Sequence, residues 1–383
     1  MIKQYYKQAL AQLRQHPLIS IIGIVGTALS IFLIMLVVMM QQVKVAPFSP
    51  ESNRNRFLHV HYMSISHKDW GNGTSNGPMS VQTAREVYKS LKTPEAVTVY
   101  CCMTVSTPVS LPGAPAIGAD VRETDDTFFH VFDFQFTDGK PYDEATFTAG
   151  RPVAVITESI SRALFGSIQS VGKEFLLSHA PYRVVGVVKD VSTLADMAYG
   201  QVWIPFTSTN LSNDTWSDNH MGMMSVTLLA HDREDFDEIR AEAKRRMNEY
   251  NSILADQGYT LIDRNRPYDQ ETQSISFAAN LEPDLKAARR ERVIIFIILL
   301  LVPAINLSSM TQSRLRQRVA EIGVRRAFGS TRIEMVGQIV MENLVITLLA
   351  GAIGLLISIL FAYWGTDISV SYTHLRAHET LAN

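Results

Sequence analysis

Two histidines come nearest to forming a metal site in this chain. His59 and His61 lie in residues 56–63, whose alternating apolar pattern predicts a strand. Residues two apart on a strand face the same side, so one zinc ion could use both rings. No third ligand stands at a recognisable spacing. The favoured interpretation is therefore a pair of hydrogen-bonded or solvated histidines, and we expect no metal site.

Two further motifs suggest chemistry but lack a necessary part. The glycine-rich GNGTSNG of residues 71–77 has no Gly-Lys-Ser/Thr ending of a phosphate-binding loop, which predicts a mobile loop. Cys101 and Cys102 are adjacent, and a bridge between neighbours is strained, which predicts two free, mostly buried thiols. The net charge of −2 gives no indication of a nucleic-acid partner. Because no nucleophile–base pair can be defended, we expect no enzyme activity and no cofactor.

A short arginine-rich connection, EIGVRRAFG at residues 321–329, is more informative. Four positions share one helical face, which predicts a helix below a preceding span: Leu315, Val319, Ile322 and Arg326. Gly329 should end this helix, and Thr331 with Glu334 forms a capping box, so a new helix should begin at Arg332. The chain thus makes a positively charged elbow. An ordinary interfacial loop, with arginines on lipid headgroups, is the alternative.

The elbow lies between apolar stretches, and the other inferences about the topology of the chain depend on these stretches. Residues 17–40, 293–311 and 343–364 carry no charge and are long enough to cross a hydrocarbon core about 30 Å thick. A secretory signal peptide is the alternative for the first stretch. Its apolar core is too long for one, however, and no small-residue cleavage site follows it. Three transmembrane helices are therefore predicted.

The distribution of lysine and arginine predicts the orientation. Lys3, Lys7 and Arg14 precede the first span, and residues 312–335 are rich in arginine, so both segments should be cytoplasmic. Residues 1–16 have one apolar stripe, which predicts an amphipathic helix at the inner membrane interface. Residues 43–292 should then be periplasmic. Basic residues near 286–292 argue otherwise, but loops beyond about 60 residues translocate largely regardless of charge.

The long outer segment reads as two strand-helix-strand units that flank an insert. The first unit comprises residues 56–63, a helix capped by Ser80, and residues 96–104; the second comprises residues 224–230, a helix opened by Asp232, and residues 258–263. The insert, residues 105–206, should be mainly β with a small helix at 158–165. The predicted fold class is an α-helical transmembrane part with an α+β periplasmic domain.

Residues 303–358, and above all EIGVRRAFG with its following Ser-Thr, closely resemble the permease subunits of the MacB/FtsX/lipoprotein-release class of ABC transporters. The outer segment is similar to the MacB-type periplasmic core at VAVITESISRALFG (153–166), YRVVGVVKDV (182–191), VWIPF (202–206) and DTFFHVFDFQFTDGKP (126–141). This resemblance covers nearly the whole chain up to about residue 369. It implies a porter part of two strand-helix-strand units with an inserted β-rich lobe.

The resemblance also implies partners. A separate ABC ATPase would dock on the elbow, and its movement would reach the periplasmic side; further partners would be a second permease copy or homologue in a dimer, membrane lipid and a periplasmic adaptor. The docking residues would be Glu321, Ile322, Gly323, Val324, Arg325, Arg326, Ala327, Phe328 and Gly329. Gly323 and Ala327 would permit close approach, and the two arginines would offer forked donors.

Small residues four apart predict helix packing at Gly23 with Thr27 and at Ala350 with Gly354, although lipid-facing positions are the alternative. The implied function is that of a permease in an efflux or mechanotransmission complex of the bacterial inner membrane. A lipoprotein-release permease, a permease that activates a cell-wall hydrolase, and a membrane-anchored ligand sensor are the alternatives.

The family has four spans, so we expect the chain to be truncated before the fourth. Residues 370–383 are polar and resemble the translation of a sequencing adapter, which predicts a non-native tail. A histidine-based metal tail, through His374 and His378, and a genuine disordered tail are the alternatives.

Overall fold

A computed structural model describes residues 17–379 except 211–212, with side chains described for residues 21–364 except 211, 212 and 314. The predicted amphipathic helix at residues 1–16 lies outside this part of the chain. Two compact units are present. The helical unit comprises residues 1–42 and 286–366, and the sheet unit comprises residues 43–285 and 367–383.

Helices and strands alternate irregularly through the sheet unit, whereas the described residues of the helical unit form helices and short connections. The helices are α1 (Pro17–Val45), α2 (Val81–Thr83, continued by a π-helical segment Ala84–Lys89), α3 (Phe128–Val131), α4 (Glu144–Thr148), α5 (Glu158–Phe165), α6 (Phe236–Leu254), α7 (Gln270–Gln273), α8 (Leu285–Gln317), α9 (Val319–Ala327) and α10 (Arg332–Glu379). The strands are β1 (Phe57–Val60), β2 (Met63–His67), β3 (Thr74–Gly77), β4 (Ala96–Cys101), β5 (Val105–Ser110), β6 (Ile117–Thr124), β7 (Phe136–Gly139), β8 (Val153–Thr157), β9 (Glu174–Leu177), β10 (Ala180–Val188), β11 (Val202–Pro205), β12 (Met224–Leu229), β13 (Tyr259–Ile262) and β14 (Tyr268–Asp269).

Among the residues that the structure describes, three helices are long and apolar enough to cross a membrane, over Ile21–Val45, Leu285–Gln317 and Arg332–Trp364. Each extends beyond the uncharged stretch that predicted it, because a helix satisfies its own backbone groups whether or not its side chains are charged. Pro303 lies inside α8. Because proline lacks a backbone N–H, one hydrogen bond of that helix is missing there.

The end of α10 includes part of the segment that was expected to be a polar, non-native tail. The backbone of residues 370–379 is helical, and residues 380–383 lie outside the described chain. Helical backbone does not distinguish native from non-native residues. The origin of this segment therefore stays a prediction.

The main sheet interleaves the two predicted strand-helix-strand units. β12, from the second unit, lies between β1 and β4 of the first and is antiparallel to both. β14 adds to the free side of β1. The apolar stripe predicted along α6 is buried as predicted: Phe236, Ile239, Ala243, Met247, Tyr250 and Leu254. It shares one hydrophobic core with Val87 and Tyr88 of the π-helical segment and with the inward faces of these strands.

A second sheet corrects one expectation. β13, the returning strand of the second unit, pairs with β2 instead of the main sheet, in the order β13-β2-β3. The glycine-rich stretch expected as a mobile loop supplies the edge strand, since Thr74–Gly77 form β3. Glycine content indicated a loop, but strand pairing uses backbone groups, and Thr74 and Ser75 pair in register with Ser66 and Ile65.

The insert closes into a barrel. β11, β8, β10, β9, β5 and β6 pair in that order, and β6 pairs again with β11. A barrel leaves no strand edge unpaired, and apolar side chains such as Ile156, Phe175 and Val184 fill its interior. The predicted small helix is confirmed as α5, with Thr157 as its N-cap. The α-helical transmembrane part and the α+β domain are both confirmed.

Candidate functional site

The elbow has the local geometry that its caps predict. Thr331 N–H donates to Glu334 Oε2 at 3.0 Å, and Glu334 N–H donates to Thr331 Oγ1 at 3.3 Å. This reciprocal pair starts α10 at Arg332, as expected. Gly329 ends the preceding helix at φ +95°, a conformation that favours glycine. The predicted continuous helix below the second span is interrupted, however, because Arg318 leaves helical geometry between α8 and α9.

A network of charged and amide side chains braces α9 against the beginning of α10. Arg318 Nη1 lies 3.1 Å from Glu342 Oε2, and Glu342 is buried. Gln338 Nε2 donates to Glu342 Oε1 at 2.9 Å. Arg325 donates to Gln338 Oε1 at 2.8 Å and also pairs with Glu321 at 2.5 Å. Arg325 is therefore engaged within the elbow, and its expected role in binding a partner stays a prediction.

Other side chains of the elbow are exposed and partly apolar, and Val324 lies on the same helical face as Glu321 and Arg325, since positions i, i+3 and i+4 are neighbours on a helix. The exposed fractions are 58% for Val324, 89% for Phe328 and 85% for Ile333. A Cβ atom added at Gly323 would meet no atom within 4 Å. Arg326 and Ala327 are also exposed. Single exposed apolar residues are ordinary, but apolar residues grouped beside an open backbone are typical of a surface that a partner covers.

The predicted small residues lie where helices of the helical unit meet. A Cβ on Gly23 would lie 1.7 Å from Met310 Sδ of α8, and Thr27 Oγ1 accepts from Asn306 Nδ2 at 3.3 Å. Ala350 is fully buried. A Cβ on Gly354 would lie 2.7 Å from the carbonyl oxygen of Ala28.

Asn306 was not among the predicted packing residues. A polar side chain within an otherwise apolar span is the signal that could have identified it, because such groups usually bond to a neighbouring helix.

The two histidines of the sheet unit are engaged within the protein. His59 is buried, with Nδ1 3.1 Å from Thr227 Oγ1 and Nε2 2.9 Å from Gln270 Oε1. Burial lowers the pKa of His59 to about 3 and that of His61 to about 4, so both rings are neutral. His59 is therefore the hydrogen-bonded histidine of the favoured interpretation. Cys101 and Cys102 are free thiols, with Cys101 buried and Cys102 partly exposed.

Two family models match this arrangement. Residues 18–246 match the MacB-like periplasmic core domain, and residues 293–375 match the FtsX-like permease C-terminal domain. The chain belongs to the MacB/FtsX-like ABC transporter permeases. The second match ends within the segment 370–383 that was expected to be non-native. Permeases of this family typically work with an ATPase, and the two matched domains are transporter components, not enzymes.

Several relatives carry the same domains. The chain is 22% identical over 244 residues to the uncharacterized ABC transporter permease YknZ of Bacillus subtilis, covering 62% of this chain and 55% of that protein. It is 26% identical over 274 residues to the macrolide export ATP-binding/permease protein MacB 1 of Aeromonas hydrophila, covering 68% and 39%. The chain thus spans about half or less of the length of these relatives.

Solved structures of similar domains include the periplasmic region of MacB from Actinobacillus actinomycetemcomitans, with 18% identity and a TM-score of 0.36 over 53% of this chain and 88% of that one. The extracellular domain of the ABC-type transporter YknZ has 14% identity and a TM-score of 0.37 over 52% of this permease chain and 99% of that domain.

Proposed function

We propose that this permease is a subunit of an efflux or mechanotransmission complex in the bacterial inner membrane, driven by a separate ABC ATPase. The observation that carries the proposal is the elbow, where a braced helix presents an exposed apolar surface. Such a surface suits a force-bearing contact, because the hydrogen-bond and ion-pair network of the same helix resists deformation when a partner moves. The relatives named as macrolide exporters combine ATP binding and permease in one protein, which supports functional coupling between the two.

In this proposal the docking surface comprises residues 321–329, with roles refined by their contacts. Val324 and Phe328 would enter an apolar recess of the ATPase, and Arg326 would pair with an acidic group. Arg325 and Glu321 would instead hold α9 in place through their mutual ion pair. A second permease copy or homologue would complete a dimer, and a periplasmic adaptor would contact the sheet unit.

The membrane topology is part of the same proposal. The arginines of the elbow and the basic residues before α1 favour a cytoplasmic location for both segments. The proposed boundaries are 1–16 for the cytoplasmic amphipathic helix, 17–40, 293–311 and 343–364 for the spans, 43–292 for the periplasmic domain with its insert at 105–206, 312–335 for the elbow and 370–383 for a non-native tail.

A substitution at Gly323 tests the docking surface. Gly323→Glu adds bulk and negative charge to an open position, whereas Gly323→Ala adds a methyl group that meets nothing within 4 Å. Each variant of the full chain would be extracted in mild detergent with its co-expressed ATPase, and vanadate-sensitive ATPase activity in the purified material would be measured. We expect the alanine variant to retain this activity and the glutamate variant to lose it, with equal membrane insertion. Equal activity in both variants would contradict docking at the elbow.

A further inference from the structure

The loop that follows α1 contains a buried ion pair that caps this helix. Arg54 Nε donates to Glu51 Oε2 at 2.7 Å, and the two side chains are 3% and 0% exposed. Arg54 Nη1 donates to the carbonyl oxygens of Val43 at 2.6 Å and Ala46 at 3.1 Å. The Phe48 ring centroid lies 4.2 Å from the guanidinium carbon. Because the last carbonyls of a helix have no partner within it, Arg54 satisfies the end of α1 and interacts favourably with its dipole.

The same ion pair holds residues 194–199, which we call the clasp loop. This loop connects β10 to β11, two strands of the barrel. Arg54 Nη2 donates to the carbonyl oxygen of Leu194 at 3.0 Å. Glu51 Oε1 accepts the backbone N–H groups of Met197 at 2.9 Å and Ala198 at 3.0 Å. One arginine and one carboxylate therefore bind the end of α1 and the clasp loop together.

A second buried arginine holds the clasp loop from the barrel side. Arg122 lies on β6 and is 3% exposed. Its Nε donates to the carbonyl oxygen of Tyr199 at 2.5 Å, and its Nη2 donates to that of Asp196 at 2.9 Å. Its Nη1 donates to the carbonyl oxygen of Cys101, at the end of β4, at 2.9 Å. The clasp loop is thus fixed by charged side chains whose partners are mostly backbone atoms.

We propose that Glu51, Arg54 and Arg122 are positioning residues that fasten the outer end of α1 to the barrel, so that a movement of α1 displaces the barrel. This inference rests on the proposed function, because it names the route by which the movement would reach the periplasmic domain. α1 is one continuous helix from Pro17 through Val45, and the α1 carbonyl oxygen that Arg54 binds, that of Val43, belongs to the sheet unit. Charge-assisted hydrogen bonds in a buried site are strong and hold one geometry, as a fastening requires.

The bonding pattern distinguishes a fastening from a simple ion pair. Arg54 faces carbonyl oxygens, which accept, while Glu51 faces N–H groups, which donate. Exchanging the two residues would keep the opposite charges but place a carboxylate against carbonyls and a guanidinium against N–H groups. An ion pair that acts only through its charges would tolerate this exchange, whereas the proposed fastening would not.

The first measurement needs no ATPase. Hydrogen exchange of the Met197 and Ala198 amides would be followed in the full chain carrying Glu51→Arg with Arg54→Glu. We expect exchange of the Met197 amide to accelerate by about tenfold or more, because it loses its carboxylate acceptor, whereas Ala198 N–H keeps the carbonyl oxygen of Ala195 at 3.1 Å as a second acceptor. The matched control is Glu174→Arg with Arg183→Glu, an exposed ion pair of the same barrel, which should leave both amides unchanged. Wild-type exchange in the Glu51/Arg54 swap would overturn the proposal.

The second measurement separates fastening from folding. Arg54→Lys keeps the charge beside Glu51, so the clasp-loop amides stay protected, but one ammonium cannot reach both α1 and Leu194. In the complex with its ATPase, adding ATP with vanadate should change the hydrogen exchange of the barrel amides in the wild type. In Arg54→Lys this change should be about a tenth as large. Arg183→Lys, on the exposed pair, should respond like wild type.

The outcomes of the two measurements are distinguishable. An undiminished barrel response in Arg54→Lys would overturn the fastening while leaving the proposed function intact. Failure of the wild-type chain to capture any ATPase would contradict the proposed function, and the amide exchange of the charge swap would then decide the fastening by itself.

Discussion

Glu123 on β6 is a largely buried carboxyl whose titration affects stability. Burial raises its pKa from 4.5 to about 7; the charge of Asp214 adds to this effect, and a hydrogen bond from Thr209 opposes it. The folded protein therefore binds a proton at pH values where the unfolded chain has released it. The stabilising contribution of Glu123 is complete below about pH 4.5 and is lost as the pH rises through about 7.

We predict that Glu123→Gln changes the pH dependence of stability. The amide cannot ionise and still offers an oxygen to Thr209, so it resembles the protonated acid. We would measure the melting temperatures of the variant and of the wild type at each pH. The difference, variant minus wild type, should increase between pH 5 and pH 8, by roughly 2–4 °C for each kcal/mol that the variant gains in free energy of unfolding relative to the wild type. The pH 5 comparison is the control, since in the folded proteins both side chains are then mostly neutral. A constant difference across this range would show that Glu123 ionises normally.

At the scale of elements, alanine substitutions at two glycines of the third span should change the free energy of unfolding by different amounts. A Cβ at Gly354 would lie 2.7 Å from a backbone carbonyl oxygen of α1, which cannot move without displacing the helix. At Gly351 on the same helix, the nearest atom is the Ile31 side-chain end at 3.7 Å, an ordinary contact. The two positions therefore form a matched pair for testing contact between α10 and α1.

Gly354→Ala should destabilise the helical unit by about 1–3 kcal/mol, because overpacking forces backbone shifts. Gly351→Ala should be near neutral or slightly stabilising, since alanine favours helix. Unfolding by SDS in mixed micelles, followed by circular dichroism, would give both free energies of unfolding. Equal effects of the two substitutions would indicate that α10 does not contact α1 at Gly354.

Elements whose defining residues lie within a few positions of each other could be predicted from sequence. Elements whose pairing partners lie far away along the chain could not. The α6 stripe, α5 and the Thr331–Glu334 cap follow from residues within a few positions of each other. The position of β12 between β1 and β4 depends on strands more than 100 residues apart, for which neighbouring residues give no signal.

The candidate site divides in the same way. The elbow motif and its helix start were visible in sequence. The sequence did not predict the hydrogen bond of Arg325 to Gln338 or the bonds of Arg54 to Glu51 and the clasp loop. An arginine on a surface and one within a buried network have the same sequence pattern.

At the scale of the whole molecule, the proposed topology predicts which residues an impermeant reagent reaches. In a Cys101→Ser/Cys102→Ser background, Asn213→Cys should react with a membrane-impermeant maleimide in intact spheroplasts, because Asn213 is exposed in the sheet unit. Ser330→Cys, in the elbow, should react only after the membrane is permeabilised. The removal of both cysteines is needed because Cys102 is partly exposed. The reverse labelling pattern would place the sheet unit in the cytoplasm.

The interleaved sheet also sets an order of events during biosynthesis. β1 and β4 do not pair with each other, and both pair with β12, whose residues Met224–Leu229 are made much later. Until those residues have been made, β4 can pair only with β6, and β1 has no neighbouring strand, because its other partner, β14, is made later still. The part of the main sheet that contains β1 must therefore form late, after most of the domain has been synthesised, and until then the apolar side chains of β1 are open to misassociation.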